Sequence, residues 1–200
     1  MRKKIAISVL IVIVLGVVGG FFLLDVNGST FTRENCPFCN ASVLDSQKFY
    51  EDDEVLALCT YKPVMPGHCL VIPKRHVERF EMLSDTEVAQ MGRVIRKVNL
   101  AVEKVYGTSA YLLLEKNGRE VGQTVPHVHF HYMPRKAGDD SMISFLYHMF
   151  VANLKRPISL AARQQTVERM KAALVFQSCF DAKSCDTSCN NQHDPKQREP

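Results

Sequence analysis

From His127 to Met133 the chain alternates strictly: His127, His129 and His131 occupy one set of positions, and Val128, Phe130 and Tyr132 the other. A period of two is the repeat of a β-strand, so the three imidazoles lie on one face, roughly 6.5–7 Å apart along the strand. The opposite face already offers an aliphatic residue and two aromatics to a core. The histidine face is therefore left without a packing role. A row of imidazoles suits metal coordination, or nucleophilic catalysis with neighbours that orient and protonate. An exposed polar strand face is the plainer alternative.

Other segments supply partners for such a strand. Val55-Leu56-Ala57-Leu58-Cys59 reads as a strand closed by the turn Pro63-Val64-Met65-Pro66-Gly67, and Cys69-Leu70-Val71-Ile72 as a second, ending at Pro73. Ser84 and Glu87 have the spacing of a capping box. After them Val88, Met91, Ile95, Val98, Val102 and Val105 recur every three or four residues, predicting one apolar helix face that ends near Gly107. Tyr111 to Leu114 reads as a third strand, and Asn117-Gly118 opens a loop. Strands, one long helix, then strands predict an α+β domain. Beyond Pro157, Ser159 to Phe176 reads as a further helix with Leu160, Val167, Met170 and Leu174 on one side, before a polar tail.

Ahead of all this, Ile5 to Leu24 carries no charge and follows Arg2, Lys3 and Lys4. At about 1.5 Å per residue such a helix crosses a hydrocarbon core of about 30 Å. The expectation is a retained transmembrane anchor; a cleaved signal peptide, with its shorter apolar region and small-residue cleavage site, is the competitor. Basic residues before the segment place the amino terminus in the cytoplasm and the main domain outside it, a single-pass arrangement. The expected division is 1–28 for the anchor and the start of a linker, 29–140 for the domain, and 141–200 for a helical extension and tail. Formal charge is +4, and those three basic residues hold most of it. A near-neutral domain argues against a nucleic-acid polymer as partner. Seven cysteines are too few for a disulfide scaffold, and an odd number cannot all pair.

The blocks Gly122-Gln123-Thr124-Val125-Pro126-His127-Val128-His129-Phe130-His131-Tyr132-Met133-Pro134-Arg135 and Lys62-Pro63-Val64-Met65-Pro66-Gly67-His68-Cys69-Leu70-Val71-Ile72-Pro73 together resemble the histidine-triad (HIT) superfamily. Val77-Glu78-Arg79-Phe80 and Pro134-Arg135-Lys136-Ala137-Gly138-Asp139 resemble its fragile-histidine-triad branch, the dinucleoside polyphosphate hydrolases. The resemblance implies an antiparallel sheet flanked by helices, in a homodimer, acting on a nucleotide substrate. It makes His129 the nucleophile toward the α-phosphorus, His131 the donor to the phosphate or bridging oxygen, and His127 and His68 their supports. Gln123, Thr124, Lys116 and Asn117 fall to the substrate. On their own residues, His68 reads equally as a satisfied core histidine, and Gln123 with Thr124 as an ordinary turn. Lys116 and Thr60 depart from the resemblance, standing where relatives often carry an amide. A nucleoside phosphoramidase is the alternative within the same chemistry, and a non-catalytic, membrane-tethered nucleotide-binding module the alternative outside it.

The same resemblance implies a structural zinc ion held by Cys36, Cys39, His76 and His127. Two thiolates and two imidazoles suit a closed tetrahedral site. Read alone, Cys36-Pro37-Phe38-Cys39 also fits a glutaredoxin-type redox pair, although the βα context is lacking, or a disulfide outside the cytoplasm. Cys59 and Cys69 read as small core residues. Cys179, Cys185 and Cys189 support no choice.

Overall fold

The computed structural model describes residues 33–136, 138, 141–151 and 155–190. The chain divides between Thr32 and Arg33, and everything described belongs to the second unit. Its elements are α1 (Ala41–Asp45), β1 (Lys48–Glu51), β2 (Val55–Cys59), β3 (Cys69–Pro73), α2 (Asp85–Tyr106), β4 (Tyr111–Glu115), β5 (Phe130–Pro134), α3 (Met142–Val151) and α4 (Leu160–Asn190). Two single 3-10 turns, Phe80–Met82 and Arg119–Val121, lie in the connections.

One antiparallel sheet runs β1-β2-β3-β5-β4. Every residue of β2 and β3 is buried, which explains why both read as unbroken apolar runs. Alternate side chains of those strands enter two separate cores. Val55, Ala57, Cys59, Cys69 and Val71 join Tyr132 beneath α2. On the other face Leu56, Leu58, Leu70 and Ile72 meet Phe38 and Leu44 of the segment leading into and through α1. The histidines share that second face.

Helix α2 forms as the spacing predicts. Ser84 Oγ accepts from Glu87 N–H while Glu87 Oε2 accepts from Ser84 N–H, and Gly107 closes the helix at φ 72°. A cap of this kind is worth about 1 kcal/mol. Met91, Val94, Ile95, Val98, Ala101 and Val102 form the buried face, whereas Val88 is exposed. Helix α4 adds Val167, Met170 and Ala173 to the same core, and Leu160 at its start is exposed.

Two expectations are corrected. Among the described residues no helix is long and apolar enough to cross a membrane. Helix α3 is apolar but has ten residues, about 15 Å, while α2 and α4 are interrupted by charges such as Arg93, Arg96, Lys97, Arg169 and Lys171. Residues 5–24, which carried the expectation, lie outside the described residues. The described architecture is the α+β domain, and among the described residues nothing supplies the transmembrane helix that the single-pass, extracytoplasmic placement requires. The second correction concerns the histidine strand. Ladder pairing starts only at Phe130, because Val128 N–H is taken by Val77 O at 2.6 Å instead of by β3. His127 and His129 keep their alternation on an irregular approach to β5.

Candidate functional site

The tautomers of the site histidines follow from their partners, because a carbonyl oxygen only accepts. His129 Nδ1 lies 2.7 Å from the carbonyl oxygen of His127, so Nδ1 carries a proton, and burial, which lowers the pKa of the ring, leaves the lone pair on Nε2. Val64 N–H donates to His68 Nδ1 at 3.1 Å, so His68 holds its proton on Nε2. That proton points at His131 Nδ1, 3.0 Å away. His131 is thereby left with an Nε2–H donor. Burial lowers the pKa of all three rings. His68 comes down to about 4, and the neighbouring His129 and His68 and the Lys116 ammonium depress His131 further. The neutral forms required by the hydrogen bonds are the stable ones near pH 7.

These rings border a cavity of about 210 Å³. His68, His129, His131, Lys62, Lys116 and Thr124 supply much of its polar wall, with Thr60 and Gln47, and Phe38, Leu70, Leu114 and Met149 much of the apolar one. Lys116 reaches the cavity from the end of β4 and donates to Gly122 O at 3.3 Å. Gln123 and Asn117 are turned elsewhere. The Gln123 amide accepts from Gly118 N–H and donates to Glu78 O. Asn117 accepts from Phe80 N–H and donates to Glu81. Both brace the loop that presents Lys116 and Thr124.

Beside the cavity, Cys36, Cys39, His76 and His127 bring their ligand atoms within 4.8 Å of one another, a group that can hold a metal ion. Nδ1 of His127 lies 3.5 Å from Cys36 Sγ and 3.7 Å from Cys39 Sγ, and Nδ1 of His76 lies 3.4 Å from Cys39 Sγ. Tetrahedral zinc, with bonds of about 2.3 Å to sulfur and about 2.0 Å to nitrogen, sets S···N separations of about 3.6 Å. The donors fit that geometry. The other nitrogen of His127 donates to Pro73 O at 2.9 Å, and burial lowers the ring's pKa to about 4, so Nδ1 is free of a proton and ready to ligate. Burial, and then the neighbouring Cys39, push the Cys36 thiol up to about 11. Without a cation this cysteine stays protonated, and a metal would remove that proton. Phe38 couples the two centres, its ring standing 5.7 Å from His127, nearly perpendicular, and 5.2 Å from His129.

Residues 41–138 match the model of the HIT domain. An uncharacterized HIT-like protein of Methanocaldococcus jannaschii is 38% identical over 112 residues, which cover 55% of this chain and 86% of that one. The chain belongs to the HIT family.

Its HIT domain is also similar to the bis(5'-nucleosyl)-tetraphosphatase (asymmetrical) of Schizosaccharomyces pombe, 42% identical over 102 residues, 51% of this chain and 56% of that one. The chain thus spans little more than half the length of that relative. A solved structure described as a hypothetical histidine triad nucleotide-binding protein, from Sulfolobus tokodaii, is 25% identical with a TM-score of 0.56, covering 70% of this chain and 91% of that one.

The row of alternating histidines and the Cys-x-x-Cys pair were legible before any coordinates. Three features of the HIT domain were not: Phe38 against both rings, the Val64 amide that sets the His68 tautomer, and the Pro73 carbonyl behind His127. The first was in view as the apolar residue inside Cys-Pro-Phe-Cys. The other two are backbone groups and leave no mark in a sequence.

Proposed function

We propose that this HIT domain hydrolyses dinucleoside polyphosphates through a nucleotidyl-His129 intermediate. The observation that carries the reading is the hydrogen bond from His129 Nδ1 to the His127 carbonyl. It places the single proton of the neutral ring, the form burial favours, on Nδ1, so Nε2 borders the cavity with its lone pair and the nucleophile needs no separate base. In the first step a bond forms between Nε2 and the α-phosphorus, and the bond from phosphorus to the bridging oxygen breaks. The electron pair leaves on that oxygen, to which His131 Nε2–H donates a hydrogen bond. In the second step water attacks phosphorus, the N–P bond breaks, and His129 recovers its lone pair as a nucleoside monophosphate and a proton depart. Thr124 is positioned to meet oxygens of the reacting phosphoryl group and Lys116 those of the departing phosphate, where preorganised donors lower the barrier. The name of the fission-yeast relative supports the substrate class.

Zinc is the metal the Cys36, Cys39, His76 and His127 donor set suits best, and its chemistry here is structural. By fixing His127 it would fix the carbonyl that orients His129.

The test uses the full chain, with and without His129→Ala, incubated with diadenosine tri- and tetraphosphate while AMP release is followed. The expected result is turnover in the parent, none above background in the variant, and a nucleotidyl mass increment on His129 after rapid quenching. Saturable binding without release or adduct would favour a nucleotide-binding module instead.

A further inference from the structure

Lys116 is the residue of the cavity whose chemistry the hydrolytic steps leave least defined. It stands just past β4, and its ammonium is held toward the cavity wall by the Gly122 carbonyl. An ammonium carries three donors, and Gly122 accounts for one. No aspartate or glutamate is among the described residues of this wall. His68 and His131 are neutral by their hydrogen-bond pattern, since each accepts at Nδ1. Lys116 lines the same cavity as both reacting rings, His129 and His131. A fixed cation in a partly water-excluded site favours whichever reaction places new negative charge beside it.

Two kinds of nucleotide conjugate differ at this point. When a phosphoanhydride is cleaved, the bridging oxygen takes the electron pair and departs as a polyphosphate anion. When a phosphoramidate is cleaved, the nitrogen takes the electron pair and needs a proton to leave as an amine. The neutral His131 offers a hydrogen bond but is a poor source of that proton, and the neighbouring ammonium gains nothing from an uncharged product. We infer that Lys116 is a specificity-determining residue that makes this site select conjugates whose leaving group is a phosphate anion over those whose leaving group is an amine. The inference rests on the hydrolase reading above.

The experiment compares kcat/KM of the full chain, Lys116→Gln and Lys116→Arg on diadenosine tetraphosphate and on adenosine 5'-phosphoramidate. Loss of one charge-assisted contact predicts a fall of about tenfold or more for Lys116→Gln on the tetraphosphate. The phosphoramidate rate should change by less than about threefold, and Lys116→Arg should keep most of the preference because it keeps the charge. Added NaCl should depress the parent's tetraphosphate kcat/KM more steeply than that of Lys116→Gln. Equal losses on both substrates would overturn the inference, because Lys116 would then hold the nucleotide they share. An unchanged ratio in Lys116→Gln overturns it as well. If the parent hydrolyses neither substrate, the hydrolase reading fails first and the selectivity with it; if the parent is active and only the ratio refuses to move, the hydrolase reading stands alone.

Discussion

His68 and His131 are joined ring to ring, Nε2 to Nδ1, across 3.0 Å. The two residues come from different parts of the sheet, His68 just ahead of β3 and His131 on β5, and the register that pairs Leu70 with His131 brings them together. Because Val64 N–H occupies the far nitrogen of His68, the proton between the rings belongs to His68. His131 therefore faces the cavity as a donor in one tautomer rather than a mixture of two.

That relationship predicts the behaviour of His68→Ala. His131 loses the partner that fixes its proton, and kcat on a dinucleoside polyphosphate should fall about tenfold while KM moves little. Steady-state kinetics on the full chain checks this. A KM effect with kcat preserved would show that His68 shapes the binding cavity and leaves the reacting groups alone.

The same pair makes stability depend on pH. His68 titrates at about 4 in the folded chain because it is buried, against about 6.5 when unfolded, and His131 is lowered also. A lowered folded value means that the unfolded chain binds protons more readily below pH 6.5. Stability is thus intact above about pH 6.5 and declines as pH falls from there toward 4. For His68 the loss is about 3 kcal/mol once both values are passed. Urea midpoints between pH 7 and 4.5 measure it, and His68→Gln should flatten the slope.

How far the site can be read from sequence depends on what holds each residue. The period of two in His127 to His131 is a property of the chain, and it survives even where the ladder is broken by Val128 bonding to Val77. The face of α2 is likewise written in its spacing, except that Val88 is exposed. Side-chain amides are another matter. Gln123 and Asn117 sit in the loop the resemblance assigns to substrate, yet their partners are Gly118, Glu78, Phe80 and Glu81, choices made by a loop closure no local pattern encodes. β1 has a single buried residue, Phe49, and so shows no alternation. In α3 apolar residues lie all round, Ile143, Leu146 and Tyr147 outside and Phe145 inside, which erases the periodicity that marks a helix.

The four-residue metal group predicts a stoichiometry and a dependence. The full chain should carry one zinc per polypeptide by elemental analysis, and Cys36→Ser or exhaustive chelation should remove it. Metal binding that exists only in the folded state contributes directly to stability. A loss of about 3–5 kcal/mol would lower the thermal midpoint by about 10 °C or more in a chain of this size. Activity should fall in step, because His127 would no longer hold its carbonyl against His129 Nδ1. An unaltered midpoint after complete metal removal would show the group to be held by packing alone.

Glu87 joins two roles in one buried carboxylate. It caps α2 through Ser84 N–H, and it receives Arg75 Nε and Nη2 at 2.9 and 2.8 Å, while Arg75 also reaches the Met82 carbonyl. Arg75 is half exposed, so water screens the pair and its full Coulomb energy is not available. Glu87→Gln keeps the shape and removes the charge, and should cost about 1–2 kcal/mol in urea unfolding. Since Arg75 adjoins His76 in sequence, the variant should also release zinc to a competing chelator faster than the parent does.

Helix α4 follows the sheet in the chain but completes its core. Met170 is fully buried, and with Val167 and Ala173 it packs into the cluster that also holds Phe49, Val55, Val98 and Val102. Its neighbour Arg169 donates to the Val105 carbonyl and stands over the Tyr106 ring, tying the helix to the end of α2. Met170→Ala removes buried atoms from a close-packed region, at a cost of about 2–5 kcal/mol. Met170→Leu, of similar volume, should cost less than about 1.5 kcal/mol. Chemical denaturation of both variants, followed by far-UV circular dichroism, separates a core role from a surface one. If Met170→Ala unfolds at the parent's midpoint, α4 contributes nothing to the core; if it unfolds early in a single transition, sheet, α2 and α4 are one cooperative unit.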